Sequence, residues 1–298
     1  VRDRALEELE LDPDDWLLGQ GTLYTDTIES GGTEHADVIK THHNRVDIIE
    51  QLLAEGKVVE PLSQLYKDEV RELGEKLGLP HHLVWRHPFP GPGLGVRALC
   101  SDGEPGNNGF AEAVPALEAI GKRFEHLEIG ILPLQSVGVQ GDSRTYAHPA
   151  VISGRADWDQ LEELSTELTN EIPQINRVVY LLGPAERPQQ GIKPAFLSRD
   201  RLDLLREADA IVMDALERHE LMGEVTQMPT VLVPLSSNGV NESVVLRPIS
   251  TDDFMTARFS HLPEEFVDDV TARLLALEGI EAVFYDVTHK PPGTVEWE

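Results

Sequence analysis

The sequence predicts two kinds of fold in succession, an α/β segment and then an α+β region. Up to about residue 92, short apolar stretches alternate with amphipathic helical patterns, as is typical of α/β proteins. After that point, one order of helix and strand patterns, α-β-β-α-β, occurs twice in tandem. With 298 residues, 40% of them hydrophobic, the chain can bury more than one core. We therefore expect domains at residues 1–92, 93–194 and 195–298.

The α/β segment consists of three helical patterns and two short strand patterns. In the last of these helices, Val70, Leu73 and Leu77 share one face, and Gly78 and Pro80 end the helix. The predicted elements are a helix over 2–11, a strand at 16–18, a helix over 46–53, a strand at 58–59 and a helix over 67–77.

A stiff loop follows this segment at residues 87–95, HPFPGPGLG. Three prolines and three glycines exclude both a helix and a central strand. Linkers are usually rich in Ser, Glu or Lys, whereas this stretch contains Phe89 and Leu94. We therefore expect a packed loop here.

The tandem pattern gives two sets of elements. Each set predicts a sheet too small to bury both of its faces alone, so pairing is expected: of the copies with each other, with a second chain, or both. In the first copy we expect helices over 111–127 and 158–172 and strands over 131–139, 147–153 and 177–182. In the second copy we expect helices over 201–220 and 264–277 and strands over 230–236, 243–249 and 282–287.

Composition excludes several classes of protein. The 53 acidic and 25 basic residues give a net charge of −28, which repels nucleic acids and anionic membranes. We find neither a run of about 18 apolar residues nor a charged and then apolar leader. The single cysteine, Cys100, excludes an intramolecular disulfide framework and suits a reducing compartment. We expect a cytoplasmic protein without nucleic-acid or membrane partners.

A first candidate site lies in GQGTLYTDTIES, residues 19–30. Gly19 and Gly21 after a strand permit the close backbone approach that phosphate binding needs. Asp26 and Glu29 are three residues apart, so they can share a face and hold a hard cation such as Mg²⁺. The alternative is an ordinary solvated helix face.

Two further candidate sites follow in the same segment. Lys40, His42 and His43 lie in the polar stretch IKTHHN, which suits anion contact better than a metal, because adjacent histidines point to opposite sides of a strand. The alternative is a surface loop. Lys67 and Asp68 open a helix, where free N–H groups and the helix dipole favour phosphate. Many helices open in this way without any ligand.

Seven motifs in chain order resemble the GMP synthase family, whose members are glutamine-hydrolysing C–N ligases. The resemblance runs from residue 17 to the end of the chain. The motifs are LGQGTLYTDTIES, VIKTHHN, LYKDEVRELGEKLGLP, RHPFPGPGLGVR, VGVQGDSR, TQMP and KPPGTVEWE.

The resemblance implies an ATP-pyrophosphatase domain of adenine-nucleotide α-hydrolase type, followed by a dimerisation domain. The doubled pattern resembles the enlarged form of the family, in which the dimerisation domain is duplicated. ATP, with Mg²⁺, would adenylate xanthosine monophosphate (XMP), and ammonia from a glutaminase domain or subunit would displace AMP to give GMP. A homodimer is also implied.

The resemblance also implies roles for particular residues. Asp26 and Glu29 fall in the family's lid segment, with Lys40, His42 and His43 in its ATP-handling continuation and Lys67 and Asp68 at the pyrophosphate. XMP would contact residues in both copies of the repeat, and the proline- and glycine-rich loop would form a wall of its pocket. These positions are Asp142, Gln227, Lys290 and Glu296, with Pro90, Gly91, Pro92 and Gly93 in the loop.

Two departures from the family pattern bear on activity. Thr25 stands where members usually carry proline. The Ser-Gly-Gly-Val-Asp-Ser pyrophosphate loop and the glutaminase sequence are not found, and we expect that the chain starts inside the ATPase domain and is inactive alone. The alternatives are a non-catalytic module that binds XMP and dimerises, or another ammonia-adding ATP pyrophosphatase.

Overall fold

A computed structural model describes most of the chain in two compact units, Val1–Arg86 and His87–Glu298. The division falls six residues before the boundary expected at residue 92, and the three-domain assignment stays a prediction. No helix among the described residues has the length and apolar character needed to cross a membrane. The structure describes residues 8–10, 12, 15–24, 26, 47–106, 109–124, 126–140, 143–189, 191–251 and 256–298.

The described residues of the first unit include two short parallel strands and three helices whose bounds are defined. Helix α2 begins after Tyr66, whose backbone N–H donates to the Glu69 carboxylate at 2.8 Å, and it ends before Gly78, which has a φ of +81°. Gly74 lies where an added Cβ would be 3.3 Å from Val84, so α2 and α3 pack closely. The elements are β1 (Leu18–Gly19), α1 (Asp47–Ala54), β2 (Val58–Val59), α2 (Lys67–Lys76) and α3 (His81–Val84).

The described residues of the second unit form one large sheet, four long helices and several two-residue strands. It opens with a 3-10 helix at Gly93–Arg97. Its helices are α4 (Phe110–Gly121), α5 (Trp158–Glu171), α6 (Arg199–Arg218) and α7 (Glu264–Leu275). Its strands are β3 (Ser101–Asp102), β4 (Leu127–Ile131), β5 (Ser136–Gln140), β6 (Ser143–Gly154), β7 (Ile175–Gly183), β8 (Gly191–Ile192), β9 (Pro194–Ala195), β10 (Thr230–Val233), β11 (Leu235–Ser236), β12 (Glu242–Leu246), β13 (Ile249–Ser250), β14 (Arg258–Phe259) and β15 (Ile280–Asp286).

The strands of the two sequence copies form one sheet, in the order β10-β12-β15-β7-β6-β4. In the first copy, the edge strand β4 is antiparallel to β6, and β6 is parallel to β7. In the second copy, the edge strand β10 is antiparallel to β12, and β12 is parallel to β15. The two last strands, β7 and β15, meet antiparallel at the centre, with Tyr180 opposite Tyr285. The copies therefore pair with each other, which is one of the arrangements that the sequence left open.

Side chains of the sheet alternate between two apolar clusters. One face packs against all four long helices through residues such as Val178, Val244 and Tyr285. The other face buries Val179 and Phe284 together with Trp297, which is next to the last residue of the chain. The end of the chain is thus part of the core.

Prolines divide three strands that the sequence predicted as continuous. The expected strand 131–139 is two strands, β4 and β5, with Pro133 between them. Pro234 separates β10 from β11, and Pro248 separates β12 from β13. Proline has no N–H to donate to a ladder. Pro234 and Pro248 each mark a change of strand partner, whereas β4 and β5, on either side of Pro133, both pair with β6.

Candidate functional site

The chain after β15 returns across the sheet and is fixed by backbone hydrogen bonds. We call residues 287–298 the C-terminal segment. Four of its residues pair with three different parts of the unit. The bonds run from Val287 N to Val178 O at 3.0 Å, from Lys290 N to Ala257 O at 2.8 Å, from Val139 N to Pro292 O at 2.7 Å and from Val137 N to Trp297 O at 2.9 Å.

Beneath the C-terminal segment lie Arg177, Arg247 and Asp286, all completely buried. Arg177 Nη1 donates to Asp286 Oδ2 at 2.9 Å, and Arg247 Nη1 donates to Asp286 Oδ1 at 3.0 Å. Burial lowers the pKa of Arg177 to about 10 and also lowers the pKa of Arg247. We call these three residues the buried ion cluster.

The buried ion cluster holds the C-terminal segment through its carbonyl groups. Arg177 Nη2 donates to Thr294 O at 3.0 Å and to Glu296 O at 2.9 Å. Its guanidinium also lies 5.0 Å from the centre of the Trp297 ring, and the Trp297 indole N–H donates to Asp286 Oδ2 at 3.0 Å. The backbone of the segment is therefore tied to charged groups.

Glu296 projects from the C-terminal segment toward the proline- and glycine-rich loop. In the structure this loop continues through the 3-10 helix to Arg97, so we call residues 87–97 the loop from here on. Its two carboxylate oxygens accept from Nε and Nη2 of Arg97, at 3.1 and 3.0 Å. Arg97 is buried and also lies 5.6 Å from the centre of the Phe89 ring. A paired Arg and carboxylate beside an aromatic ring can recognise the polar edge of a planar ligand.

Gln227 contacts the same loop from another side. Its amide Nε2 donates to Pro88 O at 2.9 Å, while His87 Nε2 lies 3.0 Å from Met222 O. The loop turns at Pro90–Gly93, where Gly93 N donates to Pro90 O at 2.9 Å and Gly93 has a φ of +69°. Gln227 and Glu296, far apart in the sequence, thus converge on one loop.

Lys290 lines an open cavity of about 530 Å³. Arg258 and His289 add basic groups to the lining, and three hydroxyl side chains face the same space. Lys290 is connected to Gln227 through hydrogen-bonded backbone: Lys290 pairs with Ala257, β14 pairs with β13, and Ile249 of β13 pairs with Gln227. The Lys290 and Arg258 cations, together with these hydroxyls, suit an anionic group such as phosphate. The hydroxyls belong to Ser250, Thr251 and Thr256.

Asp209 on α6 adds an acid near the loop. Burial, the largest effect, raises the pKa of this carboxyl, while nearby Arg97 lowers it and Glu296 raises it. An acid with a raised pKa close to a candidate pocket can exchange a proton at higher pH than an exposed carboxyl.

In the first unit, the described candidates are Asp26, Lys67 and Asp68. Asp26 Oδ2 accepts from the backbone N–H of Leu23 at 2.8 Å, so one of its oxygens supports a local turn. Lys67 and Asp68 open α2, as predicted. Partial burial, and then Arg71, lower the pKa of Lys67. Within the part of the chain that the structure describes, no group of three His, Cys, Asp or Glu residues could hold a metal ion.

Several predicted site residues lie outside the described residues. They include one of the two expected magnesium ligands and the residue of the first copy expected at the nucleotide. These residues are Glu29, Lys40, His42, His43 and Asp142.

Sequence reasoning missed Arg97 and the buried ion cluster. Arg97 closes the motif RHPFPGPGLGVR, so its position beside the loop was a usable signal. Arg177, Arg247 and Asp286 stand in or next to strands, where charged residues usually indicate a solvated edge. Their burial becomes visible only when the central pair of strands is known.

Comparisons with known proteins find similarity to proteins described as GMP synthases. Residues 214–297 match a family described as GMP synthase C terminal domain. A protein of Leptospira interrogans named probable GMP synthase [glutamine-hydrolyzing] is 43% identical over 301 residues, covering 100% of this chain and 49% of that protein. GMP synthase [glutamine-hydrolyzing] of Dictyostelium discoideum is 34% identical, with 100% and 49% covered. The corresponding protein of Caenorhabditis elegans is 33% identical, with 100% and 50% covered. The chain thus spans about half the length of these curated relatives.

Proposed function

Because the whole chain belongs with the C-terminal portion of the GMP synthase family, we propose that it provides the acceptor-nucleotide site for the ATP-dependent amination of XMP to GMP. The observation that carries this proposal is the convergence of Gln227 and Glu296 on the loop at residues 87–97, with backbone pairing from Gln227 to Lys290, which lines a cationic cavity. The alternative of a non-catalytic module is less favoured, since the relatives share the enzyme's name.

In the proposed reaction, the 2-oxygen of XMP attacks the α-phosphorus of ATP, and the bond to pyrophosphate breaks. Ammonia then attacks carbon 2 of the adenylated base, AMP leaves with the C–O bond electrons, and GMP forms after loss of a proton. Adenylation is needed because an oxide is a poor leaving group, whereas AMP is a good one. The protein's part is to position the two nucleotides and to balance the charge that develops.

The second unit supplies the proposed contacts to XMP. Lys290, with Arg258 and the hydroxyls of its cavity, would bind the 5′-phosphate. Gln227 and Glu296 would hydrogen-bond polar edges of the nucleoside, with Arg97 holding the Glu296 carboxylate in place. The turn at Pro90–Gly93 would form a wall of the pocket. Asp142 would add a contact from the first copy.

The first unit supplies the proposed contacts to ATP and pyrophosphate. Lys67 and Asp68 would act at the pyrophosphate, where the start of α2 favours an anion. Lys40, His42 and His43 would contact the ATP phosphates. Mg²⁺, when bound, would neutralise those phosphates, with Asp26 and Glu29 as its candidate ligands.

The partners of the proposed reaction follow from its chemistry. A glutaminase domain or subunit would supply the ammonia, and the reaction would take place in the cytoplasm. A homodimer remains part of the proposal, although the two copies of the repeat already pair with each other through β7 and β15.

Calorimetric titration of the folded chain with XMP tests the proposal. We expect saturable binding that weakens at least about tenfold, or about 1.4 kcal/mol, in Lys290→Ala. Lys122→Ala is the matched control, because it removes a lysine of the same unit at the end of α4. It should bind as the unaltered chain does, and AMP should give no signal. Failure of the folded, unaltered chain to bind XMP would overturn the proposal.

A further inference from the structure

The buried ion cluster joins the two halves of the sheet at one point. Arg177 stands on β7 of the first copy, Asp286 ends β15 of the second copy, and Arg247 directly follows β12. Because β7 and β15 are the central antiparallel pair, Asp286 lies opposite Val179, two residues from Arg177. The cluster can therefore form only when the two copies are paired.

Asp286 uses both of its oxygens within the cluster and on the C-terminal segment. Oδ2 accepts from Arg177 Nη1 at 2.9 Å and from the Trp297 indole at 3.0 Å. Oδ1 accepts from Arg247 Nη1 at 3.0 Å and from the backbone N–H of Thr288 at 3.0 Å. One carboxylate thus fixes both arginines and both ends of the C-terminal segment.

The arginines in turn hold the middle of that segment. Arg177 Nη2 donates to Thr294 Oγ1 at 2.6 Å as well as to Thr294 O and Glu296 O, and Arg247 Nη2 donates to Thr294 O at 3.3 Å. An added Cβ on Gly293 would lie 3.2 Å from Arg247 Nη2 and 3.3 Å from Arg177 Nη1. The segment therefore rests directly on the two guanidinium groups.

A gain in stability does not by itself explain why the three charged side chains of the buried ion cluster are buried together. Two cations and one anion are fully buried, and moving such charges out of water is costly. Apolar residues of similar volume often stabilise a protein as well as or better than a buried ion pair. The buried ion cluster instead fixes positions, because Arg177 and Asp286 each make several directional hydrogen bonds to the groups around them.

We propose that Asp286, Arg177 and Arg247 are positioning residues for the nucleotide site. They hold the C-terminal segment so that Lys290 faces its cavity and Glu296 meets Arg97, and they do so only while the two sheet halves are paired. The inference rests on the proposed function for the identity of the ligand, whereas the positioning of the segment can be tested without any ligand.

The test compares Asp286→Asn with Glu242→Gln. Glu242 also belongs to a buried ion pair, with Arg201 at 2.8 Å, but that pair does not touch the C-terminal segment. Both variants lose one buried negative charge, so both should unfold at lower temperature. Only Asp286→Asn should weaken XMP binding at least about tenfold in a calorimetric titration.

Amide hydrogen exchange gives the readout that needs no ligand. The N–H groups of Val137 and Val139 donate to Trp297 O and Pro292 O, so they report directly on the segment. We expect Asp286→Asn to speed their exchange at least about tenfold, while Glu242→Gln leaves it within about twofold of the unaltered chain.

Three results would overturn the inference: unchanged exchange at these two amides in folded Asp286→Asn, unchanged XMP binding in that variant, or equal losses in Glu242→Gln. If Asp286→Asn does not fold, Trp297→Phe decides, because it removes the indole N–H that donates to Asp286 while it keeps an aromatic ring beside Arg177. It should then show the faster exchange. If the unaltered chain binds no XMP, the proposed function fails, and the exchange data still decide whether the cluster positions the segment.

Discussion

Replacing Trp297 with alanine should destabilise the second unit strongly, although this residue is next to the end of the chain. Its side chain is only 1% exposed and belongs to the apolar cluster on the face of the sheet opposite the helices. Burial of about 150–250 Å² of aromatic surface, at about 25 cal/mol per Å², corresponds to about 4–6 kcal/mol. Loss of the indole hydrogen bond to Asp286 adds to this, while relaxation of the chain end subtracts from it.

We therefore expect Trp297→Ala to lower the free energy of unfolding of the second unit by about 4 kcal/mol, within the range of about 3–5 kcal/mol for buried aromatic residues. Urea unfolding followed by far-ultraviolet circular dichroism would measure it, and the midpoint should fall by about 2 M. Phe196→Ala is the control, because Phe196 is 65% exposed and its loss should change the midpoint little. A loss below about 1 kcal/mol in Trp297→Ala would refute the idea that the C-terminal segment is part of the core.

Two further predictions concern the fit of the C-terminal segment and the loop that faces it. Gly138→Ala should push against the segment and against buried Asn176, because the new Cβ would lie 2.9 Å both from Pro292 O and from Asn176 Cβ. We expect a loss of about 1–3 kcal/mol in the unfolding free energy, and a thermal midpoint equal to that of the unaltered chain would contradict this. Burial raises the pKa of Asp209, so the folded protein keeps the proton of this carboxyl to higher pH than the unfolded chain does. The contribution of Asp209 to the free energy of unfolding therefore falls as pH rises from roughly 4 through the folded-state pKa. Asp209→Asn should therefore become more stable relative to the unaltered chain over that window in urea titrations at several pH values, and a difference independent of pH would show that the carboxyl is not perturbed.

The elements of the second unit were predictable because their patterns are local. The apolar positions of α5, at Leu161, Leu164 and Leu168, follow the helical period, and all three are buried. The prolines that divide the strands were visible in the sequence, but the strand patterns continued past them. A local pattern does not say which strand a residue pairs with after such a break.

The candidate site was predictable only where a motif carried it. Lys290 and Glu296 stand in KPPGTVEWE, and the structure connects both to the surroundings of Gln227. The buried ion cluster depends instead on the meeting of β7 and β15, which are about a hundred residues apart in the sequence. No local period reports such a contact, and a charged residue in a strand is ordinarily exposed.

Amide hydrogen exchange of the folded chain, measured with and without XMP, tests most directly whether the loop and the C-terminal segment form one nucleotide site. We expect XMP to slow exchange in residues 87–97 and 287–298 together, while α4, which packs on the face of the sheet opposite Trp297, is unaffected. Saturable binding of XMP without protection in these two stretches would contradict the account, because the nucleotide would then bind elsewhere.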